Sequence, residues 1–133
     1  MKKFFLCLWE LPQNLLGMIY SRFAKSTNRF TYKNKKFVVY FCHCFGSAVS
    51  FGKYIIFDTK YKGSSKNKLW LMFKHEFGHS MQSLYLGWFY LLLVGVPSIL
   101  RKIYSKIFKK SNKWYYSGYP EKWADRLGGV SRY

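Results

Sequence analysis

His75-Glu76-Phe77-Gly78-His79 is the stretch on which the reading of this chain turns, and its counterpart nearer the C-terminus is Glu121-Lys122-Trp123-Ala124-Asp125. A helix brings residues four apart onto one face, so His75 and His79 present two ring nitrogens to a single point. Glu76 lies about 100° around that helix. The chain holds three His and five acidic residues, Glu10, Asp58, Glu76, Glu121 and Asp125. Two of those His and three of those acids fall in the two short motifs, a concentration that argues for a site.

Two imidazoles at this spacing suit a zinc ion, and a catalytic zinc takes three protein ligands and leaves one position open. Glu121 is the best available third ligand, because the one other acid in the C-terminal third is Asp125. On a helix these two share a face, so Asp125 can accept a hydrogen bond from the far nitrogen of a ligating His and fix its tautomer. Ala124 lets that helix approach the first one closely. Glu76 is displaced from the ligand direction yet within reach of a water on the metal, where a general base belongs. The plain alternative makes Glu121 a helix N-terminal charge and pairs Asp125 with Lys122 or Arg126.

At 133 residues this is one domain with appendages, and it combines 50% hydrophobic residues, 23% aromatics and a formal charge of +18. Such a chain calls for an anionic partner. Each basic side chain near an acidic lipid surface contributes about 1 kcal/mol, and the apolar content favours a membrane with anionic lipid. Nucleic acid is not expected. The three cysteines, Cys7, Cys42 and Cys44, have no disulfide-scaffold spacing and indicate a reducing compartment. Cys42-His43-Cys44 reads as a strand with both thiols on one face and His43 on the other, hence as buried thiols and not a three-ligand metal site.

The first residues are basic and then apolar, but Glu10 and Pro12 interrupt the pattern of a cleaved leader, so the segment is expected to be retained. Residues 4–20 read as an interfacial helix broken near Pro12, or as a helix packed on the core. Residues 21–36 are polar and basic, a linker. The β-branched and aromatic runs 37–45 and 48–57, parted by Gly46-Ser47, predict a β-hairpin with a bulge at Gly52. Residues 84–100 are almost wholly apolar; these 17 residues reach about 25 Å as a helix, short of the ~30 Å hydrocarbon core. Lysines flank them on both sides, which predicts a re-entrant or interfacial hairpin in preference to a crossing, with a core element as the alternative. A basic amphipathic helix follows over 101–113, then an aromatic loop over 114–119, and Pro120 opens a helix running to Gly128-Gly129. The organisation is thus a hydrophobic helix and basic linker over 1–36 and a main domain over 37–133 with an apolar insertion at 84–100.

The two motifs together resemble the gluzincin zinc metallopeptidases, and the Glu-x-x-Ala-Asp form is similar to the membrane branch with the CAAX prenyl proteases and the bacterial heat-shock membrane protease. The resemblance implies that His75, His79 and Glu121 are zinc ligands, Glu76 the catalytic base and Asp125 the partner of a ligating histidine. It implies an α+β fold, a small zincin-like core with a β-hairpin packed on the HExxH helix and on a second, Glu-bearing helix. A peptide or protein substrate would lie as an added strand along 48–57. The chain departs from those families in its small size and in lacking their several transmembrane helices. The expected function is zinc-dependent peptide-bond hydrolysis at a membrane surface, with the site on the cytoplasmic side. Tyr115, Tyr116, Tyr119 and Arg126 are all candidates to stabilise the oxyanion. The rival is a non-enzymatic basic membrane-associated protein with a structural or vestigial metal site.

Overall fold

A computed structural model of the chain describes residues 2–24, 27–43 and 47–132. Its elements are α1 (Lys2–Trp9), α2 (Leu11–Ser21), β1 (Thr27–Tyr32), β2 (Lys35–Cys42), β3 (Ala48–Phe51), β4 (Tyr54–Asp58), α3 (Lys66–Leu86), α4 (Val96–Ile107), α5 (Asn112–Tyr116) and α6 (Glu121–Gly128). The fold is α+β, with one mixed four-stranded sheet in the order β1-β2-β4-β3. Alternation along the strands sends Phe37, Ile55 and Phe57 to one face, where Phe73 and Phe77 of α3 cover them. Tyr40 and Ile56 point to the other face. There α2 lies close enough for the Tyr40 hydroxyl to donate to the Gly17 carbonyl at 2.8 Å.

The sheet differs from the expected hairpin in two ways. First, β1 occupies part of the segment read as a linker. Phe30 and Tyr32 pack edge-on against Phe73, and Tyr32 also against Phe77, so two aromatics in alternation outweigh the surrounding charge. The turn to β2 is Lys33-Asn34, both with positive φ, the twist that a two-residue hairpin favours. Second, the run 48–57 is two strands and not one. Phe51 pairs with Tyr54 across a tight turn at Gly52-Lys53, so Gly52 with φ +61° is a turn residue, not a bulge. Asn14 of α2 accepts the Lys53 amide there at 2.9 Å. β4 then inserts between β3 and β2 and pairs with β2 in parallel, which leaves β3 at a sheet edge. Cys44 and Gly46 lie outside the described residues. His43 is exposed and Cys42 half-buried, which corrects the expectation of a fully buried thiol at that position.

The N-terminal helices break at Glu10, and Pro12 sits in the first turn of α2, as its missing amide allows. Glu10 is buried and accepts the Ser83 hydroxyl at 2.6 Å, while Gln13 donates to that hydroxyl at 2.8 Å and to the Gly87 carbonyl at 3.0 Å. Two indoles complete the attachment, Trp9 to the Leu84 carbonyl and Trp88 to the Leu8 carbonyl. Behind these bonds, Phe4, Phe5, Leu8, Trp88, Phe89 and Leu92 remain exposed. The apolar stretch continues α3 to Leu86, then forms a 3-10 turn and a π turn before α4. Among the described residues no helix is long and apolar enough to cross a membrane. The basic amphipathic helix is offset from its expected span: it runs over Val96–Ile107 and stops before Lys109, whose φ is positive, and Ser111 then caps the short α5.

Candidate metal centre

Two helices build the site, and their approach is set by glycine. A Cβ on Gly78 would stand 1.8 Å from the Ala124 carbonyl oxygen, and one on Gly128 would stand 2.0 Å from that of Lys74. The backbones of α3 and α6 are therefore in contact, and the charged faces of the two motifs are pressed together between them. Ala124 is fully buried, as its size suggested.

Glu121 lies at the centre. Its Oε2 meets His75 Nε2 at 2.9 Å and His79 Nε2 at 3.0 Å. These three donor atoms lie within 4.8 Å of one another, and all three residues are buried. On the far side of each ring, His75 Nδ1 donates to Asp125 at 2.6 Å and His79 Nδ1 to the Gln82 side-chain oxygen at 2.7 Å. Gln82 is itself oriented by donating its amide to the Pro120 carbonyl at 3.1 Å. Asp125 also receives Arg132 through two contacts at 2.8 and 3.2 Å. Among the described residues neither Lys122 nor Arg126 takes that place, so the pairing expected by the plain reading does not hold, although Glu121 does stand in the first turn of α6.

The electrostatics follow from the geometry. Burial alone would strip the proton from His75, but hydrogen bonds to Asp125 and Glu121 prevail and hold its pKa up at about 9. Burial opposes the charge on His79 in the same way, and Glu121 overcomes it to raise the pKa. Although burial works against ionisation of Glu121, the two histidines keep its carboxyl well below the usual range. Asp125, less enclosed, is likewise lowered by His75 and Arg132. The set is thus a carboxylate within ion-pair distance of two histidines whose protonated forms it favours.

The same atoms fit a divalent ion. Both rings have Nδ1 tied to an acceptor, so loss of the Nε2 proton would leave each with the tautomer a ligand needs. Ligands at about 2.0–2.1 Å from a tetrahedral zinc stand roughly 3.3 Å apart, against 2.9 and 3.0 Å for the two Nε2 to Oε2 distances and a bound of 4.8 Å for the set of three. Glu76 is buried beside them, and its Oε2 has no hydrogen-bond partner among the described residues. Burial raises its pKa, opposed chiefly by His79 and His75.

A cavity of about 660 Å³ opens onto this group, floored by Tyr90 and Val94 and walled by β3 and α4. The edge strand β3 lies along it, with the Ser50 carbonyl accepting the Tyr90 hydroxyl at 3.1 Å. Of the four oxyanion candidates, Tyr115 and Tyr116 line this cavity, whereas Arg126 borders a separate surface hollow and the Tyr119 hydroxyl bonds the Leu93 carbonyl. Tyr116 packs edge-on against His75 with ring centroids 5.2 Å apart, and burial raises its pKa to about 12. Lys102 also lines the cavity, and its desolvation lowers its pKa. Sequence reasoning did not single out Gln82, Ser98, Lys102 or Arg132. Only Gln82 carried a signal, being three residues beyond His79 on the same helix.

No protein-family model, curated protein or solved structure matches the chain.

Proposed function

We propose that this protein hydrolyses peptide bonds with a zinc ion held by His75, His79 and Glu121, at the surface of an anionic membrane. The observation that carries the reading is the convergence of both histidine Nε2 atoms on one Glu121 oxygen, beside a buried Glu76 oxygen without a partner. Zinc in such a triad is a Lewis acid that brings a water toward neutral pKa and polarises a carbonyl. Asp125 and Gln82 hold the two rings in the ligating tautomer. Glu76 accepts the proton as water attacks and returns it to the leaving amine, a role its raised pKa suits. An extended peptide along β3 would run past the triad and gain main-chain hydrogen bonds. The two motifs resemble those of gluzincin peptidases, and the donor set of two His and one Glu suits an open catalytic site better than a closed, Cys-rich structural one.

Membrane association is supported by charge and exposed apolar surface together. The chain carries +18, and Ile99, Leu100, Ile103 and Ile107 of α4 stand exposed next to Lys102 and Lys106. The test is cleavage of a peptide mixture by zinc-loaded protein on vesicles containing phosphatidylglycerol, wild type beside Glu76→Gln. Loss of a general base removes about 10²–10⁴-fold in rate, with zinc content kept. Equal cleavage by Glu76→Gln would remove its assignment as base. A zinc-dependent melting temperature with no hydrolysis of any peptide would favour a structural metal site in a non-enzymatic membrane protein.

A further inference from the structure

Glu121 is gripped on both oxygens, and only one of them faces the histidines. Opposite the His75 and His79 contacts on Oε2, the Oε1 atom accepts hydrogen bonds from Tyr115 at 3.0 Å and from Ser98. A carboxylate oxygen has two lone-pair directions, and these two hydroxyls fill both. The residue is 1% exposed, so water does not compete for them. Hydrogen bonds to an ionised acceptor are the strong kind and resist rotation of the group.

We infer that Ser98 and Tyr115 are positioning residues that hold Glu121 to one-oxygen ligation of the metal. The inference rests on the zinc reading above and adds residues that neither motif contains. With two imidazoles, a carboxylate bound through one oxygen leaves a four-coordinate ion one open position, the arrangement catalysis needs. Freed from its hydroxyls, the carboxylate could turn both oxygens to the ion and fill that position, a mode common around larger cations that take many oxygens. Ser98 comes from α4 and Tyr115 from α5. The helix that presents Leu100 and Ile107 to the outside therefore also holds Glu121 from the inside. Tyr115 is committed to Glu121, whereas Tyr116 and Lys102 line the same cavity without bonding that carboxylate.

The experiment compares wild type, Ser98→Ala, Tyr115→Phe and Ser98→Thr. It measures zinc affinity against a chromophoric chelator, the visible absorption of the cobalt-substituted forms, and the melting temperature of the metal-free forms. Removing a group that orients a ligand costs typically 10–100-fold in metal affinity, so Ser98→Ala and Tyr115→Phe should each weaken zinc by that much and lower the intensity of the cobalt bands as coordination number rises. Ser98→Thr keeps the hydroxyl and should restore both. Should Ser98→Ala fail to fold, Tyr115→Phe carries the test, since it removes one hydroxyl from a half-exposed ring. Wild type that binds one zinc, with both variants equal to it in affinity and cobalt spectrum, overturns the inference and leaves the zinc site standing. Wild type without zinc overturns both.

Discussion

Gly78→Ala sets two effects of known sign against each other. Gly78 lies inside α3, where alanine is favoured by about 1 kcal/mol on helix propensity alone. The added Cβ would stand 1.8 Å from the Ala124 carbonyl oxygen, whereas ordinary contact begins at 3.4 Å. The helices must therefore part by roughly 1.5 Å at that point, and overpacking of this kind costs about 1–3 kcal/mol or more. The same movement stretches the 2.6, 2.9 and 3.0 Å contacts that join His75 and His79 to Asp125 and Glu121, leaving buried charges unpaired. Sterics and electrostatics together outweigh propensity. We expect a net loss of about 2 kcal/mol, a melting temperature lower by roughly 8 °C and zinc affinity down at least tenfold. Gly95→Ala is the control, because its Cβ would meet nothing nearer than Leu91 at 3.7 Å. Thermal melting and zinc titration of both variants provide the assay. A Gly78→Ala protein that melts no lower than wild type and binds zinc as well would refute the close-packed geometry of α3 and α6.

Asp125→Asn should weaken zinc by about 10–100-fold through misorientation of His75, with Arg132→Ala causing a smaller loss, both measured by chelator competition. The metal-free protein should lose stability as pH rises from 6.5 to 9. The His75 pKa is raised from 6.5 to about 9, so its ion pairs contribute fully below the lower value and vanish above the upper one, on the order of 3 kcal/mol. Glu121 and Asp125 are lowered, so their contribution is present above the unfolded carboxylate range and fades as pH falls. Melting of chelator-treated protein should peak near pH 5–6.5, and a flat profile up to pH 9 would contradict the pairing. On the membrane side, Leu100→Glu and Ile107→Glu should each weaken binding to anionic vesicles about tenfold or more, since burying a leucine or isoleucine is worth about 1.5–3 kcal/mol. Sedimentation with vesicles that is unchanged by either substitution would remove α4 from the lipid contact.

The His75-His79-Glu121 cluster was legible because scarce residue types sat at helical spacing. Periodicity placed His75 with His79 and Glu121 with Asp125 on one helix face each, and the scarcity of acids and the resemblance joined the two pairs, which the structure brings together. The helix from Pro120 to Gly129 and the break near Pro12 followed from proline and glycine chemistry. The sheet was harder. Phe30 and Tyr32 are two apolar residues in a basic stretch, and their partners, Phe73 and Phe77, lie on a helix far along the chain. The Gly52-Lys53 turn divides a run of unbroken β propensity, and the single glycine that marks it reads equally as a bulge. Parallel pairing of β2 with β4 is a tertiary fact with no local signature. Ser98, Gln82 and Arg132 act through one or two hydrogen bonds each, and sequence spacing does not encode which buried group a hydroxyl, amide or guanidinium will meet.

The central claim is that His75, His79 and Glu121 hold a catalytic metal. Its most direct test is the metal content of purified wild type beside His79→Ala, by elemental analysis after dialysis. One zinc per wild-type chain and a near-absence in His79→Ala is the expected result. Wild type without metal, or zinc undiminished in His79→Ala, would contradict it.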